Sequence, residues 1–166
     1  MDWVRATIIF AERLISDWDD LVNKFGNNGN STNVELHANM GDPHGGATVI
    51  VLEACGVKCV YKPRPPDGEI ILESTVGILD RSGIPDLPYT LTYVPRPEYY
   101  WEEFVETTDV SQENAALLAR QLGSLTAILY ALQADDMHHE NVCIGKKGIS
   151  VIDSECVVHP IRPIDF

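Results

Sequence analysis

Over the first 25 positions, apolar residues recur at three- and four-residue steps. Trp3, Ile8, Ile9, Ala11, Leu14, Ile15, Trp18, Leu21, Val22 and Phe25 follow that spacing, which predicts a helix over residues 3–25. Gly26-Asn27-Asn28-Gly29-Asn30-Ser31 ends it with turn chemistry. The period then changes. Thr48–Glu53 and Val57–Lys62 are β-branched runs on either side of Gly56 and predict a hairpin. Pro63, Pro65 and Pro66 stop its second strand, because proline brings no N–H to a ladder. Helical spacing returns over 69–80 through Ile70, Ile71, Val76 and Leu79. Strands are predicted at 87–94 and 99–105, with a turn at Pro95-Arg96-Pro97 between them. Ser111 is an N-cap for a helix over about 112–133, whose apolar face runs from Leu117 and Leu118 through Leu122, Leu125, Ile128 and Leu129 to Leu132. Val142–Gly145 and Ile149–Asp153 form a second hairpin, turned at Lys146-Lys147-Gly148. Helices interleaved with antiparallel hairpins predict an α+β fold.

Composition narrows the class. The chain has 166 residues, of which 45% are hydrophobic, so one domain with a substantial core is expected. The formal net charge is -13. That balance argues against broad nucleic-acid binding and against anionic membrane surfaces, both of which need basic patches. A basic peptide would suit it better. No apolar run reaches membrane-spanning length, and Met1-Asp2-Trp3-Val4-Arg5 does not open a signal peptide. A cytoplasmic protein with free thiols is expected. Its cysteines, Cys55, Cys59, Cys143 and Cys156, have poor spacing for zinc.

The candidate chemistry gathers near the C-terminus. Asp136 follows the long helix, Asn141 comes five positions later, and Asp153 ends the apolar run Ile149–Ile152. Kinase-like phosphotransferases place their parts in this order: a carboxylate facing the acceptor hydroxyl, then an Asn and an Asp on the magnesium ions. Hard oxygen ligands suit magnesium, and hairpin spacing brings Asn141 and Asp153 together. A polar helix-end loop and an ordinary strand-end Asp are the bland alternative. Lys62 ends a strand one hairpin after a glycine-bearing loop, where kinases keep the lysine that contacts nucleotide phosphates. Taken alone, a strand-end lysine is more often simply solvated. Arg64, two residues on, assists it or is solvated.

The loop itself, Gly41-Asp42-Pro43-His44-Gly45-Gly46, is a turn or a phosphate site. Gly41 and Gly45 let backbone N–H groups approach phosphate oxygens, while Asp42 and His44 are unusual beside phosphates. His138 and His139 are adjacent, and His138 is expected to brace the acidic loop. A zinc site with Asp136 or Glu140 lacks the His-Glu-x-x-His helix. Glu155 faces the same way as Asp153 on an extended strand.

Gly41-Asp42-Pro43-His44, Val60-Tyr61-Lys62-Pro63-Arg64, Trp101-x-Glu103-Phe104-Val105, Asp136-x-His138-x-Glu140-Asn141 and Ile152-Asp153-x-Glu155 occur in one order. Together they resemble the dehydratase domain of class II lanthipeptide (lantibiotic) synthetases, the LanM type, from about Glu12 to Pro160. The resemblance implies a kinase-like core: an N-lobe of antiparallel sheet plus helix, with the beginning of a C-lobe. It implies ATP- and Mg2+-dependent phosphorylation of Ser and Thr in a precursor peptide, then phosphate elimination to dehydroalanine or dehydrobutyrine. Lys62, Asp136, His138, Asn141 and Asp153 would serve phosphorylation. Asp42 and His44 would join the active site from the glycine loop, and Glu155 matches a motif position of open role. The family follows that loop with Gly-Arg, where this chain has Gly46-Ala47-Thr48. Family domains also continue well past the Ile-Asp-x-Glu motif, so residues 1–166 are expected to be a single, partial dehydratase domain. A complementary synthetase fragment or self-association would supply the rest. Two other readings share these residues. One is a small-molecule phosphotransferase of the aminoglycoside or choline kinase kind, and the other a non-catalytic fragment that binds peptide or regulates a synthetase.

Overall fold

Helix α1 occupies Trp3–Phe25, the span that the apolar spacing predicts. The computed structural model describes residues 3–27, 34–38 and 48–157. Gly41, Asp42, His44 and Gly45 lie outside the described residues. The architecture is α+β, and it divides into two compact units: Met1–Pro65 with Thr92–Phe104, and Pro66–Leu91 with Val105–Phe166.

The first unit is a five-stranded antiparallel sheet with α1 on one face. Its strands are β1 (Val34–Ala38), β2 (Ile50–Ala54), β3 (Val57–Lys62), β4 (Tyr93–Pro95) and β5 (Tyr100–Glu103), in the order β1-β2-β3-β5-β4. The β2–β3 hairpin is the predicted one, with Leu52 opposite Cys59. Its turn needs the left-handed backbone at both Cys55 (φ 50) and Gly56 (φ 80), which matches the twist of the flanking strands. Side chains alternate across a strand, so Val57, Cys59 and Tyr61 of β3 face one way. With Leu52 and Trp101 they pack against Phe10 and Leu21 of α1. Lys62 points to the other face.

The second unit holds α2 (Asp67–Arg81), α3 (Gln112–Ala131) and the hairpin β6 (Val142–Gly145)–β7 (Gly148–Val151). Its core joins Leu72 and Val76 of α2, Leu118, Leu125 and Ile128 of α3, and Ile149 and Val151 of β7. Ser111 caps α3 as predicted, accepting from the Asn114 N–H at 3.3 Å while the Asn114 side chain accepts from the Ser111 N–H at 2.9 Å.

Three expectations change. The strand predicted over 87–94 shortens to β4. Pro85 and Pro88 bring no N–H, and the segment attaches to β7 through the Tyr89 N–H, which donates to the Ile149 carbonyl at 2.7 Å. The buried Gln121 amide of α3 takes over the remaining bonding, donating to the Leu87 carbonyl at 3.1 Å and accepting from the Ile149 N–H at 3.2 Å. Strand β1 has no counterpart in the prediction. On α3, Leu117 and Leu122 are exposed and only part of the apolar face is used.

Candidate active site

The candidate residues arise in both units, and each half is built by its own local structure. In the first unit, Lys62 is the last residue of β3 and is buried. Its ammonium lies 2.6 Å from a carboxylate oxygen of Glu102, which is also buried. The register explains the meeting. Lys62 is opposite Tyr100 and Val60 is opposite Glu102, so Lys62 and Glu102 are diagonal neighbours on one face of the sheet. The Tyr100 ring lies beside two cations, with the Lys62 Nζ 5.4 Å and the Arg64 guanidinium 5.3 Å from its centroid. Two opposite charges out of water need one another, because each alone would carry the full desolvation penalty. Lys62 is therefore not a solvated strand-end lysine.

Glu102 escaped the sequence reading. It occupies the unspecified middle position of Trp101-x-Glu103. The neighbouring Glu103 has a different task, its backbone N–H donating to the Thr92 carbonyl at 2.8 Å and its carboxylate accepting from the Thr92 N–H at 3.3 Å. Strand alternation separates the two glutamates, but only the β3–β5 pairing says which one meets Lys62.

In the second unit, α3 ends at Ala131 and the chain turns twice through left-handed backbone, at Gln133 (φ 56) and Asp136 (φ 54). An Asp tolerates that conformation better than most residues. The Asp136 N–H is held by the Asp135 carboxylate at 2.9 Å, and its carboxylate side chain is exposed. Asn141 locks the loop from the other end: its Nδ2 donates to the Asp136 carbonyl at 3.3 Å. That bond uses the amide nitrogen and not the harder oxygen donor, Oδ1. His138 braces the loop through its backbone, its carbonyl accepting from the Asn141 N–H at 3.0 Å. The His138 ring is exposed and stands 3.8 Å from a Glu140 carboxylate oxygen.

The hairpin joins Asn141 to the Asp153 segment. The ladder runs Val142 opposite Val151, and one step beyond it the Ile152 N–H donates to the Asn141 carbonyl at 2.9 Å. Asp153 follows directly. Its carboxylate accepts from the Glu155 N–H at 3.4 Å, at the start of the 3-10 turn Glu155–Val157. That turn removes the extended backbone on which Glu155 was expected to share a face with Asp153. Next to Asp153, Ser154 brings its carbonyl so near α2 that a Cβ on Gly68 would sit 2.0 Å from the oxygen. Helix α2 thus buttresses the Asp153 turn at a position only glycine fills.

Among the described residues, no three His, Cys, Asp or Glu side chains gather as a metal site. Magnesium does not need such a cluster, since it keeps several waters and takes one or two protein oxygens beside substrate phosphates. An Asn amide and an Asp carboxylate are donors of the type such a site uses. The second unit also has a cavity of about 610 Å3 between α2, α3 and the 84–90 segment. Glu73, Asp80, Leu117 and Lys147 line it, and none of the candidate residues does.

A family described as "Domain of unknown function (DUF4135)" matches residues 1–165. The lacticin 481/lactococcin biosynthesis protein LcnDR2 of Lactococcus lactis subsp. lactis is 26% identical over 124 residues, which are 69% of this chain and 13% of that protein. The chain thus spans a small part of that relative's length.

Proposed function

The chain belongs to the DUF4135 family, and from that premise we propose that it serves lantibiotic biosynthesis as the kinase-like part of a precursor-peptide dehydratase. The observation that carries the phosphotransfer reading is the buried Lys62–Glu102 pair at 2.6 Å. Protein kinases pair their phosphate-binding strand lysine with a glutamate of a helix; here the glutamate comes from the neighbouring strand β5, and a strand lysine kept out of water by a carboxylate supports the reading. Similarity to a lacticin 481/lactococcin biosynthesis protein supports a peptide as the acceptor.

In the proposed reaction, a Ser or Thr hydroxyl of the precursor peptide attacks the γ-phosphorus of ATP. The bond from that phosphorus to the β,γ-bridging oxygen breaks, and ADP leaves. The Asp136 carboxylate orients the hydroxyl and takes its proton. Lys62 holds phosphate oxygens, and Glu102 fixes where its ammonium sits. Asn141 and Asp153 would hold magnesium, which when bound offsets the negative charge of the phosphates. His138 keeps the loop shape that presents Asp136. Asp42 and His44 are assigned to the active site, and Gly41 and Gly45 to the nucleotide, by resemblance alone.

The test is to incubate the chain with ATP, Mg2+ and a precursor peptide and to weigh the peptide. Phosphate adducts are expected. Asp136→Asn should abolish them while leaving nucleotide binding intact, because Asn accepts the left-handed backbone at that position (φ 54). Asp153→Ala should remove magnesium-dependent nucleotide binding. Phosphorylation of an aminoglycoside or choline in place of the peptide would replace this reading with a small-molecule kinase. Transfer that survives Asp136→Asn would sink the assigned roles.

A further inference from the structure

The buried face of α3 is apolar at Leu118, Leu125, Ile128 and Leu129, but one of its positions holds an amide, Gln121, which is 8% exposed. Burying an amide is costly unless both of its groups are bonded. Here both are. The Gln121 Oε1 accepts from the Ile149 N–H at 3.2 Å, and its Nε2 donates to the Leu87 carbonyl at 3.1 Å. The Ile149 carbonyl in turn accepts from the Tyr89 N–H at 2.7 Å. The side-chain amide thus stands where a peptide unit of a third strand beside β7 would stand. Gly148, at φ 120, lies against the same amide: a Cβ there would sit 2.6 Å from Oε1. The bare turn residue lets Gln121 reach Ile149.

This contact closes a frame around Asn141 and Asp153. Both residues lie at the open end of the β6–β7 hairpin, and the Gln121 bond grips that hairpin next to its turn. A two-stranded hairpin alone is marginally stable in water, so what grips it matters. From Gln121 the helix runs about 15 Å to Ala131, and the chain then turns to Asp136. From Ile149 the chain runs about 13 Å to Asp153. The two arms meet again at Asn141, which donates to the Asp136 carbonyl and whose own carbonyl accepts from the Ile152 N–H. Between these ties, Leu125 and Ile128 share a core with Ile149 and Val151. Apolar contacts of that kind are non-directional and permit sliding along the helix. The Gln121 bonds are directional and fix the offset. Magnesium demands near-ideal geometry at about 2.1 Å from its ligands, so a slide of about half an ångström is felt there.

We propose that Gln121 is a positioning residue for the Asn141–Asp153 pair, its amide setting where the hairpin carries those two side chains relative to α3. What the pair does rests on the phosphotransfer reading. What holds the pair rests on the hydrogen bonds of Gln121, so the two are separable by experiment.

Two readouts on the full chain test this: hydrogen exchange at the Ile152 amide, followed by NMR, and the Mg2+ concentration that half-saturates binding of a fluorescent ATP analogue. Gln121→Leu should speed Ile152 exchange about tenfold while the Leu52 amide of the first unit keeps its rate. It should also raise the half-saturating Mg2+ about tenfold without lowering the amount of nucleotide bound at saturation. A merely structural loss does the reverse: less nucleotide binds at the same half-saturating Mg2+, and exchange speeds throughout the chain. Gln121→Glu keeps an acceptor for the Ile149 N–H and should shift both readouts about threefold, and it carries the test if Gln121→Leu does not fold. An unmoved Ile152 exchange rate, or an unmoved Mg2+ midpoint, would overturn the proposal. A wild-type chain that binds no nucleotide with Mg2+, while Ile152 still responds to Gln121→Leu, would sink the phosphotransfer reading and leave the link from Gln121 to the pair standing.

Discussion

Asp17 shows how much one side chain decides in this fold. It lies on the inner face of α1 and is 3% exposed. Its carboxylate accepts from the Tyr99 hydroxyl and the Trp101 Nε1, each at 2.8 Å, and from the Arg96 Nε at 2.9 Å. These bonds fasten the helix to the β4–β5 hairpin. Burial works against the Arg96 charge, yet its bonds to Asp20 and Asp17 outweigh that and raise its pKa above the ordinary value. Asp17→Ala should lower stability by about 2–4 kcal/mol, since it strands the Tyr99 and Trp101 donors and leaves Arg96 with Asp20 alone of its two carboxylates. Asp20→Ala, at an exposed carboxylate, should cost less than about 1 kcal/mol. Urea midpoints of the two variants check the contrast, and equal losses would remove Asp17 from this role. Nothing in the sequence marked Asp17, because an acid on an amphipathic helix ordinarily faces water. Lys62 was legible from its place at a strand end. Its partner Glu102 was not, because the pairing of β3 with β5 joins residues some forty positions apart, such as Lys62 and Tyr100.

Elements were legible where local chemistry sets them. The periodicity of α1, the Cys55-Gly56 turn and the Ser111–Asn114 capping box each act within a few residues, and each appears where expected. Elements were misread where a distant partner decides. The 87–92 stretch is apolar enough for a strand, yet a side chain from α3 occupies the bonds a neighbouring strand would have made. Strand β1 is short, lies at the sheet edge and alternates weakly, so its pairing with β2 gives it its form. Helix α2 supplies the sharpest test at this scale. In an ordinary helix interior, Gly→Ala stabilises by about 1 kcal/mol. At Gly68 the added methyl would meet the Ser154 carbonyl at 2.0 Å, so the sign should reverse. A loss of roughly 1–3 kcal/mol is expected in thermal melts. A more stable Gly68→Ala chain would contradict the close approach.

At the scale of the whole molecule, stability should fail on the alkaline side through groups that must stay protonated. Burial pushes the Cys59 thiol from 9.0 to about 12. Burial, reinforced by Asp17, pushes the Tyr99 hydroxyl from 10.0 to about 12. In both, the folded pKa lies above the unfolded one, so the unfolded chain loses its proton first. Their contribution is complete below pH 9 and is lost as pH rises toward 12. Urea midpoints should therefore fall across that window, and Cys59→Ala should flatten the early part of the fall. A midpoint that stays constant would argue against the buried thiol.

By itself, the sequence determined the α+β class and most helix and hairpin positions, and it supplied the ordered residues on which the proposed phosphotransfer rests. Those properties come from periodicity, caps and turn residues that act over short stretches of chain. Only tertiary structure decided that Lys62 is buried against Glu102, that Asp17 turns inward, and that Gly68 must stay bare beside the Asp153 turn. Each of these depends on strand register or helix packing between distant segments, and burial then makes an unpaired charge or an added methyl costly.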